Sequence, residues 1–258
     1  MNISVGNIHE KLMKTGPLKH RIIGVFGCDE RPADAVTVGS VIKNGTPCLA
    51  KALFKMSSQP NVPPIYVSRD AAQETCPGVL MWFGFVEFPP MIEQMFTSDS
   101  PDTDSLCIKH NTELCTATFR DMGQFTPAGK YIVLRPIDGT DDGPGRLKSV
   151  LCFGDAQQIR NLGALVHYGA PKAFTPIMAP WGSGCSTFAG FPAGMASNAP
   201  KNTAFLSPVI PEANSWLPAD TFALGIPIEI AARMADGYPS SFLVRQPSMA
   251  YPDTQEEI

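Results

Sequence analysis

The chain has 258 residues, of which 44% are hydrophobic and 17% are charged, and its formal net charge is -4 at pH 7. This composition is typical of a globular protein with enough apolar residues for one large core or two modest ones. The acidic balance provides no positive field for the phosphate backbone of nucleic acid. We therefore expect no nucleic-acid partner.

Membrane and secretory signals are missing from the sequence. Residues 1–14 lack a basic region followed by an apolar core, and no apolar run approaches the roughly 20 residues that a membrane helix needs. We expect a soluble, cytoplasmic protein without a membrane partner. In that compartment the 7 cysteines indicate buried thiols, metal ligands or reactive groups rather than a disulfide framework.

The first part of the chain predicts helices and strands in alternation. Residues 5–14 form an amphipathic pattern, and residues 21–28 and 35–42 are rich in the residues of strands. A helix then runs from Thr46 to about Met56, with Thr46 as N-cap and Pro47 at the first helical position. Cys48 falls in its first turn, and residues 64–69 form the next strand.

The remainder continues in the same manner. The apolar run at residues 79–86 belongs to the core, and helices are predicted at 91–96 and 111–122. Residues 138–146 read as a loop, and residues 248–258 as an acidic tail that is mobile unless docked. Strands are predicted at residues 131–136, 149–154, 172–178, 202–209 and 221–226, and helices at 156–168, where Asp155 is the cap, and at 228–234.

Two cysteine loops suggest an internal repeat. Cys76 and Cys185 each lie in a loop of small residues that follows a short strand, and the same interval separates Cys48 from Cys76 and Gln157 from Cys185. We predict a single domain over residues 1–258, with cryptic halves at about residues 20–127 and 128–240. The fold class is α/β or α+β, with a mixed central sheet, flanking helices and cysteine loops that meet where the halves meet.

Five motifs occur in a characteristic order. They are residues 46–52 (TPCLAKA), 76–78 (CPG) after a strand, 153–158 (FGDAQQ), the small-residue loop around Cys185, and 225–229 (GIPIE). In this order the chain resembles the uncharacterised prokaryotic domain-of-unknown-function family numbered one-six-nine, whose members pair a cysteine-bearing helix with a Cys-Pro-Gly motif. The resemblance spans about residues 21–234 and implies no settled activity. Typical members carry a further Gly-Cys segment where this chain has Leu206-Ser207-Pro208, which puts a fourth protein thiolate in doubt.

Cys48, Cys76 and Cys185 are the candidate metal ligands. Three thiolates can hold a metal ion or an iron–sulfur cluster and leave one position open for a small molecule and redox chemistry. The sequence lacks the local Cys-x-x-Cys spacing of a specific metal motif, so three separate buried thiols are an alternative.

Two further functions stay open at this point. One is a metal-independent thiol enzyme with Cys48 as its nucleophile, because a helix N-terminus stabilises a thiolate. The other is a non-catalytic small-molecule-binding or regulatory module with an apolar pocket around Cys185, lined by Trp181, Phe188 and Phe191. Gly78 and Gly184 allow a bound group to approach the backbone closely, and together with Trp181 they are the predicted cofactor-binding residues.

The other thiols and the histidines offer no comparable pattern. Cys152 is predicted to be structural, and Cys28, Cys107 and Cys115 to be packing or surface thiols. His9 and His20 flank the first helix and are predicted to be solvated. A small molecule is the expected partner, and self-association into a homo-oligomer stays open.

Overall fold

A computed structural model describes residues 4–16, 18–102, 104–138, 145–207 and 217–252. One mixed sheet of 7 strands runs through this part of the chain. Its strands are β1 (Ile23–Cys28), β2 (Ile65–Val67), β3 (Tyr131–Pro136), β4 (Arg146–Gly154), β5 (Ile177–Met178), β6 (Ala204–Ser207) and β7 (Phe222–Pro227). The strand order is β2-β3-β1-β4-β7-β6-β5, and all neighbours are antiparallel except the parallel pair β5 and β6.

Helices of different lengths connect and cover these strands. The α-helices are α1 (Val5–Met13), α2 (Val38–Val41), α3 (Leu49–Ser58), α4 (Pro77–Trp82), α5 (Thr112–Met122), α6 (Ala156–Tyr168), α7 (Ile228–Gly237), α8 (Phe242–Arg245) and α9 (Pro247–Ala250). Short 3-10 helices lie at Arg69–Glu74, Ile92–Met95 and Tyr238–Ser240, and a π-helical turn at Ser186–Gly190. The predicted α/β class with a mixed sheet is confirmed.

The sheet has an apolar core on each face because its central strands carry buried side chains on both sides. On one face Leu49, Leu53 and Met56 of α3 pack against the sheet, together with α4 and the π-helical turn. On the other face α1, α6 and α7 cover a second core. Strands buried on both faces read as continuous apolar runs, which is the pattern of β1, β3 and β4.

The predicted strand at residues 35–42 is wrong. Val36 forms only an isolated bridge to Ile65, and the chain then turns into α2. The Thr37 side chain accepts a hydrogen bond from the backbone N–H of Ser40 at 3.3 Å. This local cap favours a helical turn over an extended conformation, although the alternating pattern of apolar residues is that of a strand.

His20 is also placed differently from the prediction of a solvated side chain. It is half-buried, with its ring centroid 5.2 Å from that of Phe54 and 6.3 Å from that of Phe153. Burial and the neighbouring charge of Lys19 lower the pKa of His20.

Several predicted segments extend beyond the described residues. Of the predicted loop at 138–146, residues 139–144 lie outside them, as do residues 208 and 209 of the predicted strand and residues 253–258 of the tail. The beginning of the tail is docked, since Ala250 is buried and its carbonyl accepts a hydrogen bond from Arg160 at 2.9 Å.

The order helix, strand and cysteine loop occurs twice, as α3, β2 and Cys76 and as α6, β5 and Cys185. However, α3 and α6 pack on opposite faces of the sheet. The internal duplication therefore stays a prediction from the sequence.

None of the described helices combines the length and the apolar character that crossing a membrane requires.

Candidate thiol site

Cys48 occupies the N-cap of α3, two residues later than the N-cap predicted at Thr46. The prediction of Thr46 as cap is wrong because the backbone N–H of Cys48 donates to the carbonyl of Thr46 at 2.7 Å, which folds residues 46–48 into a tight turn before the helix. The carbonyl of Cys48 then accepts the hydrogen bond of Ala52 at 3.1 Å, as an N-cap residue does. The thiol thus lies directly at the helix N-terminus.

Cys76 has the same position at the start of α4, where Pro77 occupies the first turn. The backbone N–H of Cys76 donates to the carbonyl of Pro47 at 3.1 Å. This bond joins the residue before Cys48 to the cap of α4, so two helices begin side by side. A Cβ atom added at Gly78 would lie 3.5 Å from the Cys76 sulfur, which places this glycine against the thiol.

Cys185 precedes the π-helical turn Ser186–Gly190 in the other half of the chain. The hydroxyl of Ser183 lies 3.1 Å from its sulfur. A Cβ atom added at Gly184 would lie 2.8 Å from Phe188 and 3.4 Å from Cβ of Ala50. Gly184 therefore lets the Cys185 loop pack against the first turn of α3.

The pKa shifts place the three thiols in one electrostatic neighbourhood. Burial raises the pKa of Cys48, the backbone amides of Lys51 and Ala50 lower it, and charge on Cys76 raises it. Burial raises the pKa of Cys185 to about 12; the Ser183 hydroxyl lowers it, and charge on Cys48 and on Cys76 raises it further. Without a compensating cation, the raised pKa values hold the thiols of Cys48 and Cys185 in the neutral form.

Metal-ligand geometry is a separate requirement. Within the described part of the chain, no group of three or more His, Cys, Asp or Glu side chains is arranged to hold a metal ion. The three thiols share a neighbourhood, but they do not form a ready-made site for one ion.

Trp181 borders a cavity of about 240 Å³ rather than the thiols themselves. Phe191, Met178 and Phe205 line the same cavity, whereas Cys185 and Phe188 are not among its described lining residues. The Trp181 ring lies edge-on to Phe96, with centroids 5.4 Å apart, and the cavity has a mainly apolar wall. The pocket predicted around Cys185 is therefore offset from this cysteine.

The remaining cysteines belong to the core or the surface. Cys28, Cys115 and Cys152 are buried, and burial raises the pKa of each, to about 11 for Cys115 and about 12 for Cys152. Cys107 is exposed. These positions agree with packing roles for the buried thiols.

Two groups near the thiols have no counterpart in the sequence prediction. They are the Ser183 hydroxyl beside Cys185 and the Pro47 carbonyl that accepts from the amide of Cys76. The spacing of Ser183 and Cys185 by two residues is a local signal in the sequence. The contact of Pro47 with Cys76 joins distant segments and leaves no local pattern.

The fold and the site together define a mixed α/β protein in which three cysteines, each preceding a helical turn, lie in one electrostatic neighbourhood. The model of the family DUF169, described as uncharacterised ArCR, matches residues 11–237. The chain belongs to this family, which confirms the family predicted from the order of its motifs. No curated protein and no solved structure matches the chain.

Proposed function

We propose that Cys48, Cys76 and Cys185 hold an iron–sulfur cluster at which the protein binds or transforms a small molecule by redox chemistry. The observation that supports this most is that each of the three cysteines precedes a helical turn and that these turns are in contact. The amide of Cys76 bonds the carbonyl of Pro47, and a Cβ atom on Gly184 would lie 3.4 Å from Cβ of Ala50. With three protein ligands, one coordination position is left for a small molecule.

The electrostatics favour a cationic partner for the thiols. Free amides at the helix N-termini stabilise negative sulfur, but burial and the charge on neighbouring thiols raise the pKa of Cys48 and of Cys185. Bound iron relieves the desolvation and the repulsion together, because ligating thiols are deprotonated and the metal supplies positive charge. The site is thus better suited to thiolates with metal than to thiolates without it.

A cluster fits the arrangement better than one ion. Around a single tetrahedral ion all the sulfurs converge on one centre. In a polynuclear cluster each cysteine can bind a different iron, so the sulfurs lie farther apart. Cys48, Cys76 and Cys185 come from three separate segments, so each of them could bind a different iron of one cluster.

The surrounding residues have defined parts in this proposal. A bound cluster supplies electron transfer and an open iron position. The Ser183 hydroxyl lies 3.1 Å from the Cys185 sulfur, and it would donate a hydrogen bond to a ligating thiolate and so tune its basicity. Gly78 keeps a side chain away from the Cys76 sulfur, and Gly184 lets the Cys185 loop pack against the first turn of α3, next to Cys48.

A metal-independent thiol enzyme is less well supported. A nucleophilic cysteine at neutral pH needs a lowered pKa or an adjacent base. The pKa of Cys48 is instead raised by burial, so the amides of Ala50 and Lys51 do not fully compensate. We therefore assign Cys48 to ligation rather than nucleophilic attack.

The test is purification without oxygen or chelator, followed by iron and acid-labile sulfide analysis and visible absorption spectroscopy. Wild-type protein should contain iron and sulfide, and Cys48→Ser, Cys76→Ser and Cys185→Ser should each lose most of both. Cys107→Ser is the matched control, because Cys107 is exposed and should leave the content unchanged. Wild-type protein without iron and sulfide would refute the proposal.

The Trp181 cavity favours a second candidate function, the binding of a small apolar molecule without catalysis. Its volume of about 240 Å³ and its apolar, aromatic lining suit a compact planar ligand. Indole is a suitable probe, and it should raise the thermal midpoint of the wild-type protein. Thr118→Phe should abolish the shift, because Thr118 lines the cavity and a phenyl ring would fill it. An unchanged shift in this variant would exclude the Trp181 cavity as the binding site.

A further inference from the structure

A second cavity, of about 470 Å³, adjoins the Trp181 cavity and shares Phe191, Ala199 and Pro200 with it. It lies between the beginning of β4, the segment after the π-helical turn and the start of α7. None of the three candidate metal ligands is among its described lining residues. The cavity therefore has its own chemistry.

Positive charge is concentrated at this cavity. Arg146, Lys148 and Lys201 line it, against one acidic residue, Glu229. None of these four side chains forms an ion pair with any other described residue. In a chain whose net charge is -4, three basic groups against one acidic group among the described lining residues are a local excess of positive charge.

The fold holds two of the basic groups in place. Arg146 and Lys148 are alternate residues of β4, so they project to the same side of the sheet. A Cβ atom added at Gly27 would lie 3.1 Å from Cε of Lys148, so the lysine stem packs over this glycine. Lys148 is accordingly half-buried, while Arg146 and Lys201 are exposed.

Apolar groups form part of the rest of the wall, which also includes Asn202. Phe191 and Pro192 are buried residues that line the cavity, and Ile228 contributes further apolar surface, whereas the side chain of Leu147 packs in the core on the other face of the sheet. A cavity with apolar walls and a few charged groups orients a ligand through the charges and binds its body by burial.

We propose that this cavity binds a small amphipathic anion, which places an apolar body against Phe191 and Pro192 and a carboxylate or phosphate near Arg146 and Lys148. Both headgroups suit the site because arginine and lysine form charge-assisted hydrogen bonds with either anion. The inference does not depend on the thiol site.

Two fluorescent dyes provide the test on the full chain. Anilinonaphthalene sulfonate is an amphipathic anion, and phenylnaphthylamine is the same molecule without the sulfonate. The anionic dye should bind the folded wild-type protein saturably, and Lys148→Gln and Arg146→Gln should each weaken its binding about tenfold, because each removes a charge-assisted hydrogen bond. Binding of the uncharged dye should change less than twofold.

Control variants separate this result from general effects. Lys172→Gln removes an exposed lysine that does not line the cavity, and it should bind both dyes like the wild type. Cys48→Ser should also retain binding, so that a failure of the iron–sulfur proposal is distinguishable from a failure of this one. Equal losses for both dyes in Lys148→Gln, or no loss of the anionic dye, would overturn the inference.

Competition identifies the headgroup. Octanoate, octyl phosphate and octanol share one apolar chain and differ at its end. Displacement of the anionic dye at lower concentration by octanoate or by octyl phosphate than by octanol supports the proposal and identifies the preferred anion. Equal displacement by octanol would show that charge plays no part and would overturn it.

Discussion

At the scale of single residues, the ionisation of the cysteines depends chiefly on burial. Cys152 is the simplest case: it lies in β4, is buried, and has its pKa raised to about 12 by desolvation alone. Burial raises the pKa of Cys185 to a similar value, but there the hydroxyl of Ser183 lowers the pKa and charge on Cys48 and on Cys76 raises it. The same side chain thus has a structural role at one position and a coupled, polar role at the other.

Cys152 should make stability depend on alkaline pH. Its folded pKa of about 12 exceeds the value of 9.0 for an unperturbed thiol, so its contribution is fully present below pH 9 and is lost as pH rises towards 12. Between about pH 8 and about pH 10 the unfolding free energy should fall by roughly 1 kcal/mol because of this residue. Urea unfolding at both pH values measures the loss.

Cys152→Ala provides the comparison. The variant should lose stability at every pH because it leaves a small cavity, but its further loss between the two pH values should be smaller than that of the wild type by the same amount. An identical alkaline loss in both proteins would show that Cys152 does not ionise on unfolding in this range.

A second prediction concerns the stability of a variant at Gly184. In Gly184→Ala the new Cβ atom would meet Phe188 at 2.8 Å, and Ala50 of α3 limits the space on the other side. We expect a destabilisation of about 1–3 kcal/mol in denaturant unfolding, since overpacking forces shifts in neighbouring groups. Iron content should fall as well, because the shift displaces the Cys185 loop from α3.

Gly163→Ala is the matched control for this substitution. Gly163 lies within α6, and its new Cβ atom would meet only the end of the Ile177 side chain, at 3.2 Å. Its stability should be unchanged or slightly higher, because alanine favours a helix interior over glycine. A Gly184→Ala variant with normal stability and iron content would contradict the close packing of the loop.

At the scale of elements, the local sequence predicts helices better where their caps are unambiguous. Asp155 and Gln158 form a capping box at the start of α6, and the predicted bounds 156–168 are those of the helix. At α3, Thr46 and Pro47 have the composition of a helix start, yet the helix begins after Cys48. The helix begins there because residues 46–48 form a tight turn and because the carbonyl of Pro47 accepts a hydrogen bond from Cys76. The contact with Cys76 is tertiary, so the local sequence does not indicate it.

Cys48→Ser should separate helix capping from cofactor binding. Cys48 is an N-cap whose side chain forms no capping hydrogen bond, whereas serine is among the favoured N-cap residues. In metal-free protein, Cys48→Ser should therefore be more stable than Cys48→Ala by about 1 kcal/mol in urea unfolding. When they are purified without oxygen or chelator, both variants should lack iron, because neither serine nor alanine supplies a thiolate. Equal stability of the two variants would mean that residue 48 does not cap α3.

At the scale of the whole molecule, the sequence predicts the fold class and most elements but not how the elements meet. Periodicity along the chain is a local property, and it indicates β3 and α6 well. The positions of α3 and α6 on opposite faces of the sheet are a tertiary property that periodicity along the chain does not indicate. The repeat in the sequence predicts that the cysteine loops meet, and this stays a prediction, whereas the basic cavity combines residues from three distant segments and has no sequence signature.

The position of the thiols across the fold has a consequence for global stability. Cys48 and Cys76 cap helices of the first half, while Cys185 belongs to a loop of the second half. A cluster bound by all three would therefore join the two halves and favour the folded state by mass action. The stabilisation would be about 3–4 kcal/mol if the free concentration of the cluster is about a hundred to a thousand times its Kd.

Unfolding of anaerobic holoprotein should occur at correspondingly higher urea concentration than unfolding of protein freed of iron, and Cys107→Ser should retain the whole difference. In Cys185→Ser the difference should disappear, because the ligand from the second half is missing. If this variant kept both its iron and the stabilisation, the cluster would be bound within the first half alone, and the proposed link between the halves would be wrong.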